Sequence, residues 1–257
     1  MRLKDKAIII TGGTSGIGAA IAAAAIREGA KVLVHGINEE EGRSTVEKLG
    51  ANAVLCIADL AKDSAPTEIV GAALKAFGKI DSVVNNAAIF GGTNISEQEV
   101  EHFRRMIQIN LTAPLFLIKA AFEELKKSGG CVLNIGSINA HAGESKLLAY
   151  SISKGGMQTM TRNLANANGV HGVRVNQINP GWVLTDREYR DKIADGLKST
   201  WPDDLSRTDI PSGKMTTPEQ MGEAAVYWLS DESKPFTGSV VDLEQFSIIG
   251  RNPEKLG

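Results

Sequence analysis

The chain is poor in the residues that build small stapled or metal-held folds. Its 257 residues contain two cysteines, four histidines, three tryptophans and three tyrosines. Cys56 and Cys131 each sit in an apolar, strand-like run, which predicts buried reduced thiols and excludes a disulfide framework. The histidines, at 35, 102, 141 and 171, are scattered, so no metal site is expected. Charge of one sign is equally scarce. Lys and Arg number 28 against 30 Asp and Glu, a net charge of -2, spread along the chain. That distribution excludes a nucleic-acid-binding stripe and a polybasic membrane patch. No apolar run approaches the ~20 residues of a membrane span. Met1–Lys6 leads straight into a strand without a secretion-signal pattern, so a cytoplasmic protein is expected.

What the chain does have is alternation. Apolar runs at Ala7–Ile10, Lys31–Val34, Ala53–Ile57, Ser82–Val84, Cys131–Ile135, Val173–Ile178 and Ser239–Leu243 read as strands buried on both faces. Between them, helix-period segments cover Ile17–Glu28, Glu39–Leu49, Thr67–Phe77, Glu97–Lys127, Tyr150–Asn168 and Pro218–Leu229. The pattern predicts one α/β domain over residues 1–257, with a doubly wound, mostly parallel sheet. Residues 185–216 break the pattern. They are polar, lack a clear period and exceed an ordinary connection, which predicts a substrate loop.

Two local patterns carry chemistry. The first strand ends in Gly12-Gly13-Thr14-Ser15-Gly16-Ile17-Gly18, directly before an alanine-rich helix. Glycines there let phosphates approach the backbone, and the helix start offers free N–H groups and a positive dipole end. Lying between the first strand and first helix of an alternating chain, this is a dinucleotide-site pattern. The second pattern is Tyr150 and Lys154, four apart and therefore on one helix face, thirteen residues after Ser137. A free phenol titrates near pH ~10, and a cation beside it favours the phenolate. The pair suits an acid/base tyrosine, with Ser137 holding the oxygen that exchanges the proton.

Together, Thr11-Gly12-x-x-x-Gly16-x-Gly18 and Tyr150-x-x-x-Lys154 resemble the short-chain dehydrogenase/reductases, over nearly the whole chain. The resemblance implies an NAD(P)-dependent enzyme that moves a hydride between nicotinamide and an alcohol or carbonyl. It makes Asn110, Ser137, Tyr150 and Lys154 the catalytic set, with Asn110 holding a water that links Lys154 to solvent. It also implies cofactor contacts from Asp59-Leu60, from Asn86-Ala87-Ala88 (Ala88 standing where the family has glycine), and from Pro180-Gly181, Val183 and Thr185. The family is commonly tetrameric, which makes a homo-oligomer the expected assembly and the Glu97–Lys127 helix an expected interface.

Cofactor choice turns on the end of the second strand, His35-Gly36-Ile37-Asn38. Gly36 stands where an NAD enzyme of this fold carries an acid. That favours NADP(H) over NAD(H), although no cation is present and Ser15, His35 and Asn38 are left to contact a phosphate. Charged residues and aromatics in 185–216 suit a sugar or polyol substrate. A 3-oxoacyl thioester, a steroid-like substrate, or a catalytically silent nucleotide sensor or scaffold are the alternatives. His141 is a candidate pocket residue, and the tail at 244–257 is expected to pack on a neighbouring subunit.

Overall fold

A computed structural model describes residues 1–248 apart from Thr93 and Ala142. Its frame is one sheet of seven parallel strands: β1 (Ala7–Ile10), β2 (Lys31–Gly36), β3 (Ala53–Ile57), β4 (Ser82–Asn85), β5 (Cys131–Ile135), β6 (Arg174–Pro180) and β7 (Val240–Leu243). Their order is β3-β2-β1-β4-β5-β6-β7. The order reverses direction between β1 and β4, and crevices at such a switch point receive ligands in doubly wound sheets.

Strand side chains alternate between the faces. Ile9 faces one core with Leu33, Val83, Val132 and Val175, whereas Ile8 and Ile10 face the other with Val32, Val34 and Leu133. The first core is closed by α3 (Ala65–Phe77), α5 (Ala113–Ser128) and α6 (Leu148–Asn168), and the second by α1 (Gly16–Arg27) and α8 (Pro218–Leu229). Burial on both faces explains the unbroken apolar runs of the central strands. It fails at the edge: β3 is half-exposed, so Cys56 is only partly buried, unlike Cys131.

The long helix expected over Glu97–Lys127 is divided. Helix α4 (Val100–Ile107) runs into a π-helical turn at Gln108–Thr112 before α5 begins. Pro114 supplies the reason, because it has no N–H to give the carbonyl of Asn110, four residues earlier. The loop expected over 185–216 also has more structure than anticipated. It opens with α7 (Asp186–Ala194), capped by Thr185, whose side chain accepts from the Glu188 N–H. A single pairing between Val183 and Thr216 closes the excursion at its base. Trp201, Ile210 and Met215 give it a small core of its own.

Helix α2 (Glu39–Leu49) starts at Asn38, whose Oδ1 accepts from Glu41 N at 3.0 Å. Near the other end of the chain, Gln245 reaches residues of the 185–216 segment, accepting from Ser212 N at 3.0 Å and donating to Lys214 O at 2.7 Å. The start of the tail therefore packs within the chain, and residues 249–257 lie outside the described residues. Among the described residues no helix is long and apolar enough to cross a membrane, and none of the His, Cys, Asp and Glu side chains group to hold a metal ion.

Candidate active site

The C-terminal ends of β1 and β4 hold the glycine loop. Gly12 and Gly16 adopt φ of 61° and 52°, where an L side chain is strained, and their loop turns the chain into α1. The segment after β4 braces it. Asn86 Nδ2 donates to Thr11 O at 2.9 Å and Gly12 O at 3.0 Å, while Thr11 Oγ1 accepts from Asn86 N and Ala87 N. From β2, His35 Nδ1 accepts from Gly12 N at 3.3 Å and its Nε2 lies 3.0 Å from Ala58 O. Burial lowers the His35 pKa, against the opposing hydrogen bond to Ala58, in keeping with a neutral ring that accepts at Nδ1. His35 is thus a pin for the glycine loop. Both its ring nitrogens are engaged, and it has none to spare for a phosphate.

A trough of about 630 Å³ opens over this loop, lined by Gly12, Thr14, Ser15, Gly16, Ile17, Asp59, Leu60 and Asn86–Ala88. It adjoins a second hollow of about 520 Å³, with Ile17, Asn86, Ala88 and Thr185 common to both. Ser137, Tyr150, Lys154, Pro180, Gly181 and Val183 line that second hollow. The structure therefore gathers nearly all the sequence-predicted residues along one groove. Three do not line it: Gly18, buried in α1, Asn38, the exposed cap of α2, and Asn110, buried beside α6.

Around Tyr150 the packing is close. Burial raises its pKa, and a hydrogen bond with Ser137 pulls the other way. Phe90 meets the ring edge-on with centroids 5.0 Å apart. Lys154 Nζ lies 5.7 Å from the ring centroid and donates to Ile135 O at 2.8 Å. Lys154 is buried, and desolvation lowers its pKa from 10.5 to about 8. In the protein alone, then, the ammonium does not pull the phenol down as its sequence position suggests; burial dominates for both groups.

Asn110 is anchored through its side chain. Its Oδ1 accepts from Ile89 N at 2.9 Å, and its Nδ2 contacts Ile89 O, Ser153 Oγ and Met106 Sδ at 3.0–3.1 Å. Ser153 Oγ in turn donates to the Tyr150 carbonyl at 2.7 Å. The amide ties the segment after β4 to the Tyr150 helix through both its nitrogen and its oxygen.

His141 does not line the Tyr150 hollow. Its Nε2 lies 3.0 Å from Asp242 Oδ1, which also accepts from Asn179 Nδ2, and Asn179 Oδ1 accepts from Ser137 N at 3.2 Å. It braces the Ser137 turn from behind. Glu41 and Arg105 border the trough and Glu144 borders the hollow, three residues that the sequence did not single out for the site. Charged residues of the 185–216 segment join them, Arg187 and Arg190 at the trough and Glu188 and Lys192 at the hollow. Trp182 Nε1 donates to Glu188 Oε1 at 2.8 Å, and Glu244 Oε2 accepts from Trp182 N at 2.9 Å.

A family model described as enoyl-(acyl carrier protein) reductase matches residues 12–244. The chain belongs to the short-chain dehydrogenase/reductase family. Relatives in this family include the trans-4-hydroxycyclohexanecarboxylate dehydrogenase of Sinomonas cyclohexanicum, 31% identical over 98% of this chain and 96% of that protein. The NADP-dependent (R)-specific alcohol dehydrogenase of Lentilactobacillus kefiri is 32% identical over 94% of this chain and 96% of its own. The L-fucose dehydrogenase of Mus musculus is 34% identical over 90% and 84%. As a short-chain dehydrogenase/reductase the protein is an oxidoreductase of NAD(P)-linked hydride transfer. The groove fits such a cofactor: bare glycine backbone at the start of α1, then a hollow whose floor is Tyr150 and Lys154.

Proposed function

We propose that this chain is a dehydrogenase/reductase of a hydroxylated small molecule, such as a sugar or polyol, and of the matching carbonyl compound, with Tyr150 as the acid/base. The observation that carries the reading is a phenol that shares one hollow with Ser137 and a buried lysine, continuous with the glycine-loop trough. The nicotinamide supplies or takes the hydride. Residues 1–257 act as one dinucleotide-binding and catalytic domain.

Tyr150 gives its proton to the carbonyl oxygen in reduction and takes it from the alcohol in oxidation. Ser137 Oγ already accepts from Asn139 N at 3.1 Å, and its own proton is free to hold the substrate oxygen beside the phenol. Lys154, when charged, favours the phenolate that forms as the proton leaves. The Thr185 oxygen is engaged as the cap of α7, which leaves its hydroxyl proton to hold the nicotinamide amide. With the Asn110 side chain engaged by Ile89 and Ser153, and Pro114 without an N–H to give its main-chain carbonyl, the proton relay runs through that carbonyl and a water bound to it. Asn110 remains a member of the site by position.

The substrate class follows from the rest of the hollow. Asn139, Glu144, Glu188 and Lys192 offer several donors and acceptors beside the flat faces of Phe90 and Trp182. Lys192 Nζ is 4.0 Å from Glu188 Oε1, too loose to use up either charge. Many hydrogen-bonding groups next to aromatic faces suit a ring or chain with several hydroxyls. The fucose activity named for the mouse relative is of that kind. Leu115 and Phe116 on α5 are 38% and 46% exposed, an apolar face in keeping with a cytoplasmic homotetramer.

A panel of sugars, polyols, simple alcohols and a 3-oxoacyl thioester, each with both cofactors and followed at the nicotinamide absorbance, tests the substrate class. Polyhydroxylated compounds are expected to give the highest kcat/KM. A thioester turned over faster than every one of them would overturn the assignment.

A further inference from the structure

We propose that Glu41, in the first turn of α2, receives the adenosine ribose hydroxyls of the dinucleotide and thereby sets this chain to take NAD(H) in preference to NADP(H). The inference rests on the trough being a dinucleotide site, and it reverses the choice that the sequence alone favours.

Position 36 ends β2, where doubly wound NAD enzymes place an acid. Here that position has no room for one. A Cβ on Gly36 would stand 2.4 Å from Thr14 Cγ2, so the threonine fills the space a side chain would need. The carboxylate comes from elsewhere. Glu41 Oε2 accepts from Thr14 Oγ1 at 3.1 Å, and Glu41 lines the same trough as Gly36, Ile37 and the glycine loop. Asn38 holds the backbone of Glu41 through its N-cap hydrogen bond, which fixes where the side chain begins. Glu39, Glu40 and Glu41 make an acidic first turn of α2, and the last of them also lines the groove.

A carboxylate only accepts hydrogen bonds, so it suits hydroxyl donors and repels a phosphate. Among the described residues the cations lining the trough are Arg105 on α4 and Arg187 and Arg190 on α7, and none of them pairs with Glu41. Ile37, exposed and apolar, stands next to Gly36. Arg43, the basic residue in the following turn of α2, is taken by Glu39 through Nε at 3.0 Å and Nη2 at 2.6 Å. Arg187 and Arg190 border the trough from α7, which begins at Thr185, the residue whose Cγ2 lies 3.5 Å from a Cβ built on Gly16. Those arginines enter at the Gly16 end, beside the start of α1, where the pyrophosphate belongs. Thr14 and Gly36 lie against each other on the β2 side, next to Glu41.

Calorimetric titration of the full chain with NAD+ and with NADP+, as wild type and as Glu41→Gln, tests this without any substrate. Wild type is expected to bind NAD+ at least about tenfold more tightly, the scale of one charge-assisted hydrogen bond. Glu41→Gln keeps the shape and removes the charge, and it should shrink that ratio about tenfold, chiefly by improving NADP+. Adding Ile37→Arg should carry the preference over to NADP+. Equal or tighter NADP+ binding by wild type, or a ratio unmoved in Glu41→Gln, would overturn the assignment. Binding of neither nucleotide would overturn the dinucleotide site itself, which separates the two failures.

Discussion

Tyr150→Phe is expected to lower kcat by about a thousandfold while leaving cofactor affinity within about twofold, since a positioned general acid contributes on that scale. The ring that packs on Phe90 is kept and only the proton-bearing oxygen is lost. The Ser137 hydroxyl keeps its contact with Asn139 N, so the turn after β5 stays in place. Stability should fall by no more than about 1 kcal/mol, the net worth of one neutral hydrogen bond. Steady-state rates with calorimetric cofactor titration read the two effects apart. A kcat within tenfold of wild type would move the proton chemistry to another residue, and a parallel collapse of cofactor binding would make Tyr150 a packing residue.

Lys154→Met should act in two opposite directions, abolishing turnover and raising stability. Lys154 is buried with a folded-state pKa of about 8, whereas an exposed lysine titrates at 10.5. Below about pH 8 both states carry the charge, and the folded state bears its full desolvation cost, about 3 kcal/mol for a lowering of this size. Between pH 8 and 10.5 the unfolded chain holds more protons than the folded one, so wild-type stability rises with pH through that window. Methionine removes the cost but leaves the Ile135 carbonyl without its donor, worth about 1 kcal/mol. The net gain at pH 7 is about 2 kcal/mol, and it should fade as the pH passes from 8 toward 10.5. Urea unfolding of both proteins at neutral and alkaline pH measures it. Equal stability at pH 7 would mean that the site already accommodates the charge.

This cost explains why one part of the site was legible in the sequence and another was not. Tyr150, Lys154 and the Gly12–Gly18 loop declare themselves through short spacings, because one helix or one turn fixes the geometry. Their energetics are not local. Whether the phenol or the ammonium moves its pKa depends on the burial created by Phe90, Ile135 and Ser137, which come from three other segments. The sheet was legible for a similar reason: two-sided burial leaves unbroken apolar runs, and it misled only at Cys56, on the edge strand. Helix α7 was hidden because none of its residues is buried, so no apolar stripe marks its period. The π-helical turn did have a signal, since Pro114 stands well inside the helix expected over Glu97–Lys127, where a proline interrupts the backbone ladder.

Glu41 shows the same limit from the functional side. Within its own segment it is one acid of three at a helix start, and nothing nearby distinguishes it. Only the contact with Thr14, 27 residues earlier, and the absence of space at Gly36 give it a role. His35 moved the other way, from a candidate phosphate contact to a buried pin of the glycine loop, because Gly12 and Ala58 occupy both its ring nitrogens.

Hydride transfer coupled to proton transfer at Tyr150 is tested most directly by following the hydrogen itself. An accepted alcohol carrying deuterium on its carbinol carbon is incubated with oxidised cofactor and either wild type or Tyr150→Phe, and the nicotinamide is then analysed by mass. The proposed chemistry predicts one deuterium on the nicotinamide ring for each carbonyl formed by wild type, and almost none with Tyr150→Phe in the same time. Deuterium released to water, or equal transfer by the two proteins, would contradict it.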